Sequence, residues 1–216
     1  MKPRVSHQKT AALTLLEVVV VVVLLLIVAA FLLPAFTKAK IHGGPNCINN
    51  IKQIGLSFQI WSGDNLGKLP MEVSVTNGGA LELCATGNVA AVFRAMSNEI
   101  STPKILICQK DKSKTFATNF GSGLTAKNVS YFVGLDANTN RPRAFLSGDD
   151  NFQTHGAPVQ SSVITLWTNS PLSWTSARHN FSGNIGFVDG RVDLFGNQTL
   201  RELLQKSINT NRLAIP

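Results

Sequence analysis

Residues 13–33 read L-T-L-L-E-V-V-V-V-V-V-L-L-L-I-V-A-A-F-L-L, an apolar run whose single charge, Glu17, lies near its start. About 20 apolar residues span the hydrocarbon of a bilayer, so the run predicts a membrane-spanning helix. It is longer than the apolar stretch of about 7–15 residues in a secretory signal peptide. A carboxylate at the centre of such a run costs roughly 2.5–3.5 kcal/mol. Glu17 sits close to one end, where the cost is lower, yet it still calls for a cationic partner. The plainer reading is a signal anchor that tolerates an acid near the interface.

Working outward, Lys2, Arg4 and Lys9 precede the run with no acid among them, and Lys38, Lys40 and Lys52 follow it. The distribution of positive charge therefore leaves the orientation of the span open. The chain has 216 residues and a formal charge of +8. This length suits an anchor helix and one further domain. The charge is scattered, and no basic stripe with interleaved aromatics marks a nucleic-acid surface.

Ala35 to Ile41 continues the helical pattern, and His42-Gly43-Gly44-Pro45 interrupts it, because glycine and proline are poor in a helix interior. A second helix is expected from about Asn46, a good N-cap, to Ser62. Ile48, Ile51, Ile54, Phe58 and Trp61 recur at spacings of three and four and predict a core-facing stripe. Beyond it, 63–79 is turn-rich and 88–99 reads as a helix. The runs 104–108, 129–135, 144–148 and 163–167 read as short strands, and 115–128 and 149–160 read as loops. Ile185 to Val188 and Arg191 to Phe195 flank Asp189-Gly190, a dipeptide suited to a two-residue type I′ hairpin turn.

Three clusters could carry chemistry. His179 and Asp189 could form a catalytic or metal pair. One histidine and one turn aspartate give too few ligands for a metal, and no placed Ser or Cys nucleophile accompanies them, so the reading is structural and no enzyme is expected. Asp149, Asp150 and Asn151 form the main acidic cluster. They could begin a calcium site, joined by Asp136 or Asn138, but Ca²⁺ needs about six to eight oxygens and a solvated turn is the simpler reading. Cys47, Cys84 and Cys108 leave one cysteine over if a disulfide forms.

The start of the chain, Ala12-Leu13-Thr14-Leu15-Leu16-Glu17 after a basic leader, resembles the processing motif of type IV prepilins and type II secretion pseudopilins. Cys47-Ile48-Asn49-Asn50-Ile51-Lys52-Gln53-Ile54-Gly55-Leu56 extends the likeness to a large group of pseudopilin-like proteins. So do Trp61, Asp64-Asn65, Gly67, Leu69-Pro70, the stretch Ile107 to Asp111, and Ser130-Tyr131. His179, followed after nine residues by Asp189-Gly190, resembles the group's H-x9-DG motif. Two positions depart from the pattern: Ala12 stands where glycine is usual, and Leu13 where phenylalanine is usual. Gln109 also stands where proline is usual.

The resemblance implies cleavage between Ala12 and Leu13 by a prepilin peptidase, methylation of the Leu13 amine, and a role for Glu17 in filament assembly. It makes Pro34 a helix-kinking proline and Cys47–Cys108 the first disulfide pairing, with Cys84–Cys108 as the runner-up. It places the N-terminus in the cytoplasm, the span in the inner membrane and the domain outside.

The expected fold is thus α+β: a leader at 1–12, a long transmembrane, filament-forming helix at 13–42, and a small exposed domain with an antiparallel sheet at 46–216. The expected role is a structural subunit of a secretion or pilus-like filament. Its partners would be the peptidase, other pilin-like subunits and an inner-membrane assembly platform. No cofactor is expected beyond the calcium option, and no nucleic acid. The alternative is a permanently anchored envelope protein whose exposed domain binds a ligand or performs chemistry.

Overall fold

A computed structural model of the chain describes residues 15–32, 45–206 and 211–216. The chain divides into two compact units at residues 40 and 41. In the first unit, helix α1 (Leu15–Leu32) carries Glu17 in its first turn.

The expectation of a long transmembrane helix on 13–42 is corrected by this geometry. The described part of α1 has 18 residues. Among the described residues, no helix is long and apolar enough to cross a membrane. The expected small domain is corrected too. Beside four further helices, the second unit holds nine strands among its described residues, with every pairing antiparallel.

Helix α2 (Pro45–Asp64) opens the second unit. Proline suits a first helical turn, where its missing N–H is not needed. Asn46 is therefore inside the helix, not its cap, and its side-chain amide donates to Gln109 Oε1 at 2.8 Å. The expected stripe is confirmed at Ile51, Ile54, Phe58 and Trp61, all buried, with Cys47 joining them. Ile48 is only half-buried.

Two short helices follow, α3 (Leu81–Ala85) and α4 (Val89–Ala95). Asn88 caps α4 by accepting a hydrogen bond from the Ala91 amide at 3.2 Å, as Asn does well at a helix start. The helix stops four residues before the predicted end. The predicted strand at 104–108 is instead a 3-10 turn, Pro103–Leu106. Pro103 has no N–H to give a ladder, and Thr102 accepts from the Lys104 amide, so local caps outcompete strand pairing.

The main sheet is formed by β1 (Tyr131–Gly134), β2 (Phe145–Asp149), β5 (Ser162–Leu166), β7 (Ser182–Phe187), β8 (Val192–Gly196) and β9 (Asn211–Ile215). Their order is β5-β9-β1-β2-β7-β8. A smaller sheet joins β3 (Phe152–Thr154), β4 (Ala157–Pro158) and β6 (Leu172–Trp174) in the order β4-β3-β6. The predicted loop at 149–160 thus contains two of these strands. Helix α5 (Asn197–Lys206) precedes the last strand.

The centre of the main sheet is covered on both faces, so β1 and β2 carry apolar residues on both sides. Along β1, Tyr131 and Val133 join the core with α2 and α4, while Phe132 joins the other core with Phe152, Trp174 and Leu200. In and beside β2, Leu146 and Ala144 face the first core and Phe145 the second. The alternation follows from the two-residue period of a strand, and the result is a layered domain.

The predicted β7–β8 hairpin is present, but its turn differs from the expectation. Phe187 N donates to Arg191 O and Gly190 N to Phe187 O, so Val188, Asp189 and Gly190 make a three-residue loop. Of the three, Gly190 alone takes positive φ, +85°. A type I′ turn needs positive φ at both central residues, whereas a type I turn closed by a left-handed glycine needs it only at the glycine.

Candidate functional site

The site is built where four separate stretches of chain meet. The start of α2 supplies Cys47, the segment after the Pro103–Leu106 turn supplies Cys108, the end of β2 supplies Asp149, and the loop before β7 supplies His179. Each of the four is at most 3 % exposed. Cys47 and Cys108 are bonded as a disulfide across 5.3 Å between Cα atoms, as the resemblance implied, and Cys84 is free and buried. His179 Nε2 lies 3.3 Å from Cys108 Sγ and 3.4 Å from Asp149 Oδ2.

The same Asp149 oxygen accepts from the Asn184 amide and from Asn184 Nδ2, both at 2.7 Å. Tyr131 stands opposite Asp149 in the β1–β2 register. Burial, and next the Asp149 charge, raise the Tyr131 hydroxyl above the usual range, and the hydroxyl accepts from Asn50 Nδ2. It therefore stays protonated at any ordinary pH.

A tight backbone turn sets His179 in place. Asn180 and Phe181, directly after it, have φ of +50° and +58°. Left-handed backbone in a bulky residue is rare and held only by its surroundings. Here Phe181 N donates to Thr175 O, and Ser182 Oγ donates to the His179 carbonyl.

The neighbouring residue, Arg178, enters a second buried network. Its guanidinium meets Asp111 Oδ2 at 3.1 Å, pairs with Asp150 Oδ1, and donates to Ser130 O at 3.1 Å. Ser130 Oγ donates to Asp111 Oδ2 at 2.8 Å. Burial alone would raise the Asp111 carboxyl, but Arg178 and the hydroxyls of Ser113 and Ser130 outweigh it and hold the group below the usual carboxylate range. Burial lowers the Lys114 ammonium, whose nitrogen is 4.0 Å from Asp150. Asp111, Lys114, Asp150 and Arg178 line, together with Pro158 and Val159, an open cavity of about 570 Å³.

The sequence pairing of His179 with Asp189 does not occur. Asp189 is exposed in the hairpin loop, where its carboxylate accepts from the Arg191 amide and its own amide donates to Pro142 O. His179 instead meets Asp149, which the sequence grouped with Asp150 and Asn151. That acidic cluster is parted: Asp149 turns to His179 and Asn184, Asp150 to Arg178, and Asn151 donates to Ser182 O. Asp136 is taken by Arg212. The leader, Ala12, Leu13 and Pro34 lie outside the described residues.

Sequence reasoning missed Arg178, Asp111 and Asn184 as network members. The local signal was polarity in stretches that fold into buried strands and turns. No family model matches the chain, and no curated protein or solved structure matches it either.

Proposed function

We propose that the chain is a subunit of a pilin-like filament. A prepilin peptidase removes residues 1–12 by cutting between Ala12 and Leu13, the Leu13 amine is methylated, and copies pack with other pilin-like subunits on an inner-membrane assembly platform. The observation that carries this reading is α1. From Val18 to Val28 its side chains are apolar on every side of the helix, and each large one is about half exposed. A helix apolar all round is a buried element in its working state, so other molecules cover it. In such a bundle Glu17, in the first turn, would meet the terminal amine of a neighbouring copy. The Cys47–Cys108 disulfide supports a domain that works outside the cytoplasm, where disulfides persist.

A second reading, an envelope protein whose domain binds a ligand, draws on the cavity beside Arg178. Two measurements on the full chain, produced together with an assembly machine, separate the readings. Mass spectrometry should find the filament-borne chain starting at methylated Leu13. Glu17→Ala should leave cleavage intact and reduce filament yield. A mature pool that keeps Met1, or a variant that assembles as well as the native chain, would refute the filament reading.

A further inference from the structure

The geometry points to a second state of the Cys47–Cys108 junction: when that disulfide is reduced, Cys47, Cys108, His179 and Asp149 form a four-ligand site for Zn²⁺. This inference is independent of the filament reading. Among the described residues, Cys47, Cys108 and His179 are the one group of three or more metal-type side chains whose donor atoms converge, all within 4.8 Å of one another. Asp149 adds a carboxylate oxygen 3.4 Å from His179 Nε2.

The two donor spacings at His179 suit zinc. Zinc bonds of about 2.0–2.3 Å to nitrogen, oxygen and sulfur put neighbouring donors roughly 3.3–3.8 Å apart. His179 Nε2 is 3.3 Å from one donor and 3.4 Å from another. Two thiolates, an imidazole and a carboxylate are also a donor set that suits zinc over calcium or magnesium.

The electrostatics of the site ask for a cation. Asp149 is fully buried, and its Oδ1 has no hydrogen-bond partner among the described residues. The nearby guanidinium of Arg178 is taken up by Asp111 and Asp150, which leaves Asp149 with amide donors and a histidine. A buried carboxylate without a cation is expensive. The two Asn184 donors to Oδ2 are an outer support of the kind that fixes a metal-binding carboxylate. Buried His179 Nδ1 also has no partner among the described residues.

The chemistry balances. A dithiol reductant supplies two electrons and two protons to the Cys47–Cys108 bond, giving two thiols and an oxidised, cyclic disulfide of the reductant. Zn²⁺ binding then releases the two thiol protons, because thiolate is the metal ligand. The disulfide and the metal are therefore alternative clamps: the first joins two of the four segments, the second all four. The freshly made, still reduced chain is the form that takes the metal.

The test uses the full chain, oxidised or reduced anaerobically with a dithiol, and titrated with Co²⁺ as a spectroscopic stand-in and with Zn²⁺. The expected result is one metal per reduced chain, with intense thiolate-to-cobalt absorption, and none in the oxidised chain. Cys84→Ser should leave the signal unchanged. His179→Ala should weaken binding more than about tenfold, since even outer-shell partners are worth about 10–100-fold. If the reduced chain loses its fold without metal, Zn²⁺ should restore the native circular dichroism. The proposal is overturned if reduced wild type binds no metal, if the oxidised chain binds as much, if the signal survives Cys108→Ser or vanishes with Cys84→Ser, or if Zn²⁺ fails to refold a reduced, unfolded chain.

Discussion

At Gly190 the backbone has φ of +85°, and an added Cβ would lie 3.1 Å from the Gln59 side-chain nitrogen. Gln59 is exposed and can move aside, so the cost of a substitution is mainly the left-handed backbone. Gly190→Val should lower the stability of the chain by roughly 1–3 kcal/mol, read as a fall in its urea midpoint. Gly183 has ordinary backbone, but its missing Cβ makes room for the buried Trp174 ring, which a methyl group would strike. Trp174 stacks on Phe152 at 4.3 Å between centroids and has nowhere to go. Gly183→Ala should therefore cost more than the usual 1–3 kcal/mol of an overpacked core, and equal midpoints for Gly183→Ala and the native chain would show the ring to be mobile. Asp111 gives a prediction in pH. Its carboxyl titrates below its unfolded value, so the stability it contributes is complete above the ordinary carboxylate value of about 3.9 and is lost as pH falls through the lower folded value. Asp111→Asn should flatten the acid limb of a stability-versus-pH curve measured by urea unfolding. An unchanged limb would mean that Arg178 holds the group no more tightly than water does.

Elements differ in how far the sequence alone revealed them. The α2 stripe was legible because helical burial repeats at three and four and the segment carries no competing signal. The β7–β8 hairpin was legible through its Asp-Gly dipeptide, although the loop length was not, since a type I turn with a left-handed glycine uses the same two letters. The 3-10 turn at Pro103–Leu106 was misread because a short apolar run does not reveal whether a neighbouring cap will claim its amides. The site was half legible: the cysteines, His179 and Asp149 were all noticed, but in three separate groups. Only the antiparallel order of β1, β2 and β7 brings Asp149 to Asn184 and His179, and no single-sequence period encodes that pairing. Strand β9 shows why the late elements matter. It lies between β5 and β1 in the sheet, so the chain's last residues hold two earlier strands together. Leu213, fully buried opposite Gly134 and Ile164, should cost about 2–5 kcal/mol when changed to alanine. Its neighbour Arg212 pairs with Asp136 across 2.7 Å but is about half exposed, so Arg212→Ala should cost about 1 kcal/mol or less. The comparison is a pair of urea curves; similar losses for both would mean that the strand is held by its surface pair and not by its core.

For the molecule as a whole, the Cys47–Cys108 bond is the one constraint that acts on the unfolded chain as much as on the folded one. It ties residues 61 apart in sequence, and in the chain-entropy account a closed loop of that length is worth roughly 4 kcal/mol. The bond joins α2 to the segment that follows the Pro103–Leu106 turn, so without it α2 is held there by packing and by the side-chain hydrogen bonds of Asn46 and Asn50. Replacing both cysteines by serine should lower the unfolding free energy by about 2–5 kcal/mol, with no gain on adding Zn²⁺, because neither clamp is then available. Cys84 supplies the readout. Burial pushes its thiol up to about 11, so at neutral pH almost no thiolate is present and an alkylating reagent cannot reach it in the folded chain. In the oxidised native chain, labelling of Cys84 should therefore be negligible without urea and rise to one thiol per chain across the unfolding transition. In the double serine variant the same rise should come at a markedly lower urea concentration. Rapid labelling of Cys84 in the native chain would show that the helical layer opens locally, and an unshifted transition in the double variant would show that the disulfide does not set the stability of the domain.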